Sequence, residues 1–468
     1  MAIPGTEPAP AAASPPLRAP GSLGRRLARA CLRALGTPAA PWVLIIAGAA
    51  GTLLGALWIG SAVAELSGPI TQAGHHDFFA FYSAASLVHG HQPQSLYDAG
   101  AMTALERRIY NHPTGYAGYM PFINPPSAAA LLSPLSLLPE AGARLVWLAV
   151  SLLLALACAL LLTRGRDLRI RALALLVVLA CFPAYQTFTE GQWSLVMLLG
   201  CLGALAAGRR GHPWLAGAAL TVLWLKPPLL LLVLVWLLVT GRWRVAAGMI
   251  GAVAAVTLAA LPWTGIPANL NYAHYLTSVL SAHVSGAGAV GQTAWEGALP
   301  NMEGLIGLAA AVFGQQDPLA VDVATGAAAA ALVGFFAWAM RGRWRDRPLP
   351  LRHGLAAVCL GLLLDPHLYA QDCMLILVLV ALVLAALPRG PRARGTPINP
   401  LRVDATVLLA GLALLDLSAI DTLWLQTPIL KPLHLLTVAL IAGVVILAWP
   451  GNRPGGERSR PRALASSI

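Results

Sequence analysis

The sequence predicts an all-α polytopic membrane protein, and three observations carry that prediction. Of 468 residues, 57% are hydrophobic and only 11% are charged, less than half the roughly 25% charged content of soluble domains. The mean hydropathy is +0.70. Long apolar runs recur along the chain with arginine clusters between them. A soluble core of this length needs a polar shell that 31 basic and 19 acidic residues cannot supply. The net charge of +12 does not point to nucleic acid, because the basic residues lie in short clusters between apolar runs, not on one soluble face with aromatics between them.

Residues 1–41, rich in Ala, Pro and Arg, carry no apolar stretch followed by a small-residue cleavage site. They read as a disordered basic cytoplasmic tail ahead of a retained first membrane helix. Apolar runs follow at about 42–64, 141–163, 168–184, 193–208, 245–262, 319–340, 371–387, 403–418 and 432–449, each near the ~20 residues of a spanning helix. Two stretches are ambiguous: 213–240 is interrupted by Lys226-Pro227-Pro228, and 353–364 is short. The arginines decide between the options, because positively charged loops stay cytoplasmic. All but Arg107, Arg108 and Arg144 fall on one side if 213–225 and 228–240 are two short crossings joined at Lys226, and if 353–364 is another. That gives about 12 transmembrane helices within 42–450, both termini cytoplasmic, and a basic cytoplasmic tail at 451–468.

The opposite, outer side then holds loops of about 65–140 and 263–318, the Tyr185 to Trp193 turn and the Asp365 to Asp372 turn. Apolar stretches at 127–138 and 303–314 are too short to span and read as interfacial half-helices. Five of the six cysteines sit inside or at the ends of apolar runs without a CxxC pair, and read as small buried residues. A transporter's two matched halves are not evident.

Ionisable residues other than arginine gather at the outer turns, where a charge at membrane depth is costly and marks a candidate site. His75-His76-Asp77 opens an aromatic run, Phe78-Phe79-Ala80-Phe81-Tyr82, that reads as an amphipathic helix resting on the outer interface. Asp77 is either its N-cap or a general base facing a bound hydroxyl, and the two histidines with Asp77 also admit a metal reading. Tyr119 to Pro126, with Asn124, is too proline-rich for continuous helix and reads as a stiff re-entry or a turn. Glu190-Gly191-Gln192-Trp193 starts a span, with Glu190 a catalytic helper or an interfacial carboxylate. Lys226, one of two lysines in the chain, either snorkels or holds an anion such as phosphate. In Asp365-Pro366-His367-Leu368-Tyr369-Ala370-Gln371-Asp372, His367 steadies a phosphate, shuttles a proton, or is a satisfied interfacial histidine.

Taken in order, these segments resemble glycosyltransferase family 87. The resemblance rests on Asp77 with its aromatics and Tyr82, the His89 to Asp98 stretch, Asn124-Pro125-Pro126, Ser133-Pro134-Leu135 through Leu138-Pro139, Gly191-Gln192, Ala216-Gly217 leading to Lys226-Pro227, and Asp365-Pro366-His367. It covers about residues 70–390. Asn124-Pro125-Pro126 departs from the family's common Tyr-Pro-Pro, and Gln94-Ser95 loosens its Pro-Tyr pattern, so acceptor contacts differ there.

The resemblance implies a GT-C fold and a membrane glycosyltransferase of the phosphatidylinositol-mannoside mannosyltransferase kind. The sugar, mannose or arabinose, passes from a polyprenyl-phosphate donor to a hydroxyl of a lipid or glycan acceptor on the outer face. It is an inverting displacement with Asp77 as catalytic base. His76, Tyr82, Asn124, Glu190, Gln192, Lys226, His367 and Asp372 are the implied substrate-binding residues, with Arg107 and Arg108 in reserve for the phosphate. No cofactor and no metal ligand set is assigned; the lipid-phosphate sugar is a substrate. Membrane lipids, donor and acceptor are the expected partners, with no nucleic acid. Arginine-rich, lysine-poor usage suggests a GC-rich bacterial genome, the topology places the chain in the inner membrane, and the resemblance implies a role in the cell envelope. The rival function is a transporter or flippase of lipid-linked sugars.

Overall fold

The computed structural model describes residues 76–110, 119–285, 302–314, 317–341, 351–387, 400–419 and 434–449, together with Leu57 and Gly60. The expected first span at 42–64, both tails and His75 lie outside the described residues, apart from those two positions. Among the described residues the chain is all helical, with no strand.

The elements are α1 (Asp77–His89), α2 (Ala99–Tyr110), α3 (Pro126–Leu132), α4 (Glu140–Leu162), α5 (Leu168–Ala180), α6 (Phe182–Glu190), α7 (Ser194–Arg209) and α8 (Pro213–Leu220). They continue as α9 (Pro227–Val239), α10 (Trp243–Ser285), α11 (Leu305–Phe313), α12 (Pro318–Ala339), α13 (Leu351–Leu363), α14 (Leu377–Ala386), α15 (Pro400–Leu415) and α16 (Leu435–Ala448). Short 3-10 turns at Ser133–Leu137, Thr221–Leu225 and Ala370–Ile376 extend α3, extend α8 and lead into α14.

Among the described residues three helices are long and apolar enough to cross a membrane: Glu140–Leu162, Trp243–Thr277 and Pro318–Ala339. The pair α5 and α6, bent by 59°, makes a fourth if read as one broken span. The other apolar helices, 10–17 residues each, fall short of the ~20 residues of a full crossing. They include α8 with its 3-10 extension and α9, the two segments that meet at Lys226. At 1.5 Å per residue these reach about 20 Å against about 34 Å for α4, so the junction between them is recessed relative to a full-length helix.

Local chemistry sets several boundaries. Asp167 accepts from the Arg169 amide at 2.9 Å and starts α5, and Asp317 accepts from the Ala320 amide at 3.0 Å to start α12. Asp416, distant in sequence, accepts from the Phe182 amide at 3.0 Å and satisfies the start of α6, one of the orphan donors that every helix start presents. Within α10 two helical segments meet at a kink beside Pro262 and Pro267, and the second segment lies in residues that the sequence reading places in an outer loop. Gly265, at φ 67°, takes up the break, and the Asn269 amide donates to the Gly265 carbonyl at 2.7 Å.

Glycine permits the closest helix contact. A Cβ on Gly217 of α8 would lie 2.1 Å from the Val245 carbonyl oxygen of α10, and one on Gly248 would lie 2.6 Å from the Trp214 carbonyl oxygen. Small residues that let backbones meet drive helix association in lipid, where apolar burial alone gives little preference.

One expectation fails. Helix α1 is not an amphipathic helix resting on an interface: every residue from Phe78 to Val88 except Ser86 is buried. It packs against α3, the Ser133–Leu137 turn and the Trp147 and Trp193 side chains. Ala80, Ser83 and Ala84 leave room for neighbours on the face opposite the aromatics. The cysteines behave as expected: Cys158, Cys181, Cys359 and Cys373 are buried, Cys201 is half-buried, and all five are free thiols.

Candidate active site

The three outer turns of the sequence reading converge at one end of the helix bundle. Asp77 is the first residue of α1, where a carboxylate is favoured by the helix dipole. Its cap position belongs to His76, which makes no side-chain capping bond. The Asp77 carboxylate instead accepts a hydrogen bond from the Gln192 side-chain amide. Its backbone amide donates to Glu190 Oε2 at 3.2 Å, and His76 Nδ1 stands 3.8 Å from the same oxygen.

The turn that presents Glu190 and Gln192 depends on Gly191. Its φ of +69° ends α6, and a Cβ there would sit 2.6 Å from Phe78 Cβ. Trp147 Nε1 donates to the Gly191 carbonyl at 2.7 Å. The Trp147 ring meets Trp193 edge-on with centroids 4.9 Å apart, and Phe81 lies 5.7 Å from Trp193. An aromatic floor thus fixes the turn against α1, and both carboxylate neighbours follow from it.

Beside this group lies the second one. The Lys226 ammonium lies 2.9 Å from Asp365 Oδ2 and 2.5 Å from Asp372 Oδ2, and it also donates to the His367 carbonyl. Two of these contacts are hydrogen bonds, to Asp372 and to the His367 carbonyl, and the Asp365 contact is an ion pair. Asp372 Oδ2 accepts in addition from the Tyr369 amide at 3.1 Å, and Asp365 Oδ1 from the His367 amide at 3.1 Å. A lysine at a tip recessed into apolar surroundings needs such partners. Burial pulls its pKa down, but Asp365 and Asp372 more than offset this and hold it above the ordinary lysine value.

The two groups act on one another. Burial, then the Glu190 carboxylate, then Asp372 push Asp77 up to about 7, against lowering by the Gln192 hydrogen bond and by His76. Burial followed by Asp77 raises the Tyr369 phenol to about 12, so it stands protonated as a donor. Asp77, Glu190, Gln192, Lys226 and Tyr369 are half-buried, whereas Asp365 and Asp372 are buried. The reachable groups are therefore a carboxylate poised near neutrality, an amide, a second carboxylate and an ammonium, the set that proton abstraction beside an anionic leaving group requires.

Two further residues from the sequence reading serve as supports. Tyr82 donates its hydroxyl to the Leu138 carbonyl at 2.8 Å and ties α1 to the segment before α4. Asn124 donates to the Leu225 carbonyl at 2.7 Å, next to Lys226, and its own carbonyl accepts from the Tyr97 hydroxyl at 2.7 Å. Asn124 Oδ1 is buried without a hydrogen-bond partner among the described residues. The Tyr97 ring stacks between Tyr272 and Tyr275 of α10, each 5.3 Å away. The His89 to Asp98 stretch thus reaches the site through Tyr97 and Asn124. Among the described residues no group of three His, Cys, Asp or Glu side chains has metal-binding geometry.

Asp365 and Tyr369 join the candidate site, and the sequence reading did not assign either of them to it. A signal for Asp365 exists: a lysine at membrane depth needs a carboxylate, and the outer turns supply few.

A family model described as glycosyltransferase family 87 matches residues 122–366. The match includes Asn124, Glu190, Gln192, Lys226 and Asp365, while Asp77 precedes it and Asp372 follows it. No curated protein and no solved structure matches the chain. The family match extends over more than half of the sequence, and the chain belongs to glycosyltransferase family 87.

Proposed function

We propose that this membrane glycosyltransferase moves a sugar, mannose in the first instance, from a polyprenyl-phosphate donor to a hydroxyl of a lipid or glycan acceptor. In this reading the fold is of the GT-C type with about 12 transmembrane helices, set by the arginine-rich turns. The chain lies in a bacterial inner membrane with cytoplasmic termini, and the Asp77 site faces the outer side. Cysteine labelling at positions 90 and 343 from either side of the membrane tests this orientation, with 90 reactive outside and 343 inside.

The single observation that carries the mechanism is the environment of Asp77, a half-buried carboxylate held near neutral pKa by burial and by Glu190. The acceptor oxygen attacks the anomeric carbon and its proton passes to Asp77. The bond from that carbon to the phosphate oxygen breaks, and polyprenyl phosphate leaves with the electron pair. One displacement at one carbon inverts its configuration. A base with a pKa near ambient pH combines the ionised form with useful basicity.

Negative charge grows on the phosphate during transfer, and Lys226 is the cation at hand. It is held by two carboxylates, so it can release one to meet the phosphate and remain paired with the other. His367, whose backbone already contacts Lys226, lies beside the same position, as does Tyr369. The recessed junction between α8 and α9 gives the lipid tail a path between short helices.

Asp77→Asn tests this reading against a flippase. The glycosyltransferase reading predicts donor binding within about two-fold of wild type and transfer reduced by about 10²–10⁴-fold, the usual contribution of a general base. A flippase carries lipid-linked sugar across vesicles at an unchanged rate in the same variant.

A further inference from the structure

At the far end of the bundle from Asp77 lies a cavity of about 280 Å³. Its rim carries Arg164, Arg166, Arg209 and Arg210, and its walls are leucine and alanine side chains from the ends of α4, α7 and α14. Each of these elements begins at the catalytic end: α4 carries Trp147, α7 follows Gln192, and the turn ahead of α14 contains Asp372. At 1.5 Å per residue the cavity stands roughly 15–25 Å along these helices from the site, toward the other side of the hydrocarbon core.

Arginines that merely orient a membrane protein need only lie on one side; they need not converge on a cavity. Here Arg166 is fixed as part of the wall. Its guanidinium is paired with Asp404 at 3.0 Å, with both side chains about 95% buried, and it donates to the Leu384 carbonyl. Arg164, Arg209 and Arg210 are exposed around the opening. Guanidinium groups bind phosphate oxygens in bidentate fashion, while the leucine and alanine walls suit an acyl chain. A basic pocket between membrane helices is a recognition site for anionic lipid head groups.

We propose that this cavity binds the phosphate head group of an anionic glycerophospholipid, drawn from the leaflet opposite the catalytic site. The lipid's phosphate lies among Arg164, Arg209 and Arg210, and its chain runs along α7 and α14. The shared chemistry is a phosphate ester, so a free soluble phosphate ester is the alternative source, and the experiment separates the two.

Native mass spectrometry of the purified full chain, titrated in turn with phosphatidylglycerol, phosphatidylcholine and glycerol 3-phosphate, reads the binding. Two double variants with the same loss of charge are compared: R164Q/R210Q at the cavity, and R242Q/R244Q at another basic turn. The proposal expects phosphatidylglycerol to bind at least ten-fold more tightly than phosphatidylcholine or glycerol 3-phosphate. R164Q/R210Q loses that preference and R242Q/R244Q keeps it. Ala206→Phe, which fills the cavity without touching charge, loses it too. Equal binding of both lipids, equal losses in the two double variants, or unchanged binding in Ala206→Phe would overturn the proposal. Glycerol 3-phosphate binding as tightly as phosphatidylglycerol would assign a soluble anion instead.

Discussion

The Gln192 side-chain amide donates a hydrogen bond to the Asp77 carboxylate across 115 positions of sequence. It favours the ionised form of Asp77 against burial and the Glu190 charge, with a weaker pull in the same direction from His76. The pH dependence of transfer follows from this balance. In the proposed reaction the ionised carboxylate is the base, which predicts that kcat/KM rises with pH through about 7, the value to which Asp77 is pushed, and is lost below it. Glu190→Gln removes a negative neighbour, lowers the Asp77 pKa and moves the rising limb to lower pH. Gln192→Leu removes the stabilising donor and moves it to higher pH. Opposite shifts in the two variants, read from kcat/KM profiles, check the assignment.

The Lys226 cluster gives a stability prediction. Lys226→Met strands Asp365 and Asp372, both buried, without their cation. Removing one partner of a buried ion pair costs about 3–5 kcal/mol, so the variant melts well below wild type in a thermal-shift assay. Adding Asp365→Asn removes part of the stranded charge and recovers part of the lost Tm. Transfer activity stays low in both, because the ammonium is gone.

Gly191 is tested by alanine. At φ +69° and 2.6 Å from Phe78 Cβ, a methyl group meets both a left-handed backbone, which costs about 1–2 kcal/mol, and a packed aromatic. Gly191→Ala lowers Tm and reduces kcat by displacing Glu190 and Gln192 together. Gly208→Ala, where nothing lies within 4 Å of the added carbon, leaves both unchanged and serves as the control.

Gly217→Ala tests the packing of α8 on α10. The added carbon would approach backbone atoms at 2.1 Å and 2.6 Å, which cannot rotate away as a side chain would. The two helices must part, and Lys226 at the end of the α8 segment moves with them. Loss of Tm accompanied by loss of activity is the expected result, measured on protein in nanodiscs.

Much of this was legible in the sequence where the signal is local. The apolar runs mark the helices, and the turns that hold Asp77, Gln192, Lys226 and Asp372 stand out because ionisable groups are rare in such a chain. Three features were not legible because they depend on distant partners or on compensation. The aromatics of α1 suggest one apolar face, and only tertiary packing buries Ala80, Ser83 and Ala84 on the other. The apolar run ends at Pro262, close to the break at Gly265, but nothing local shows that helix resumes beyond it, where the Asn269 amide bonds the Gly265 carbonyl. Lys226 reads as a snorkelling lysine or an anion site, and only the fold brings Asp365 and Asp372 to it.

The most direct test of the central claim is transfer of radiolabelled sugar from polyprenyl-phosphate-mannose to membrane lipid and glycan extracts. The purified protein in lipid nanodiscs is compared with Asp77→Asn. The account predicts incorporation by the wild type into one acceptor fraction and its near-complete loss in the variant at equal donor binding. Donor binding without incorporation from either mannose or arabinose donors would contradict it and favour transport.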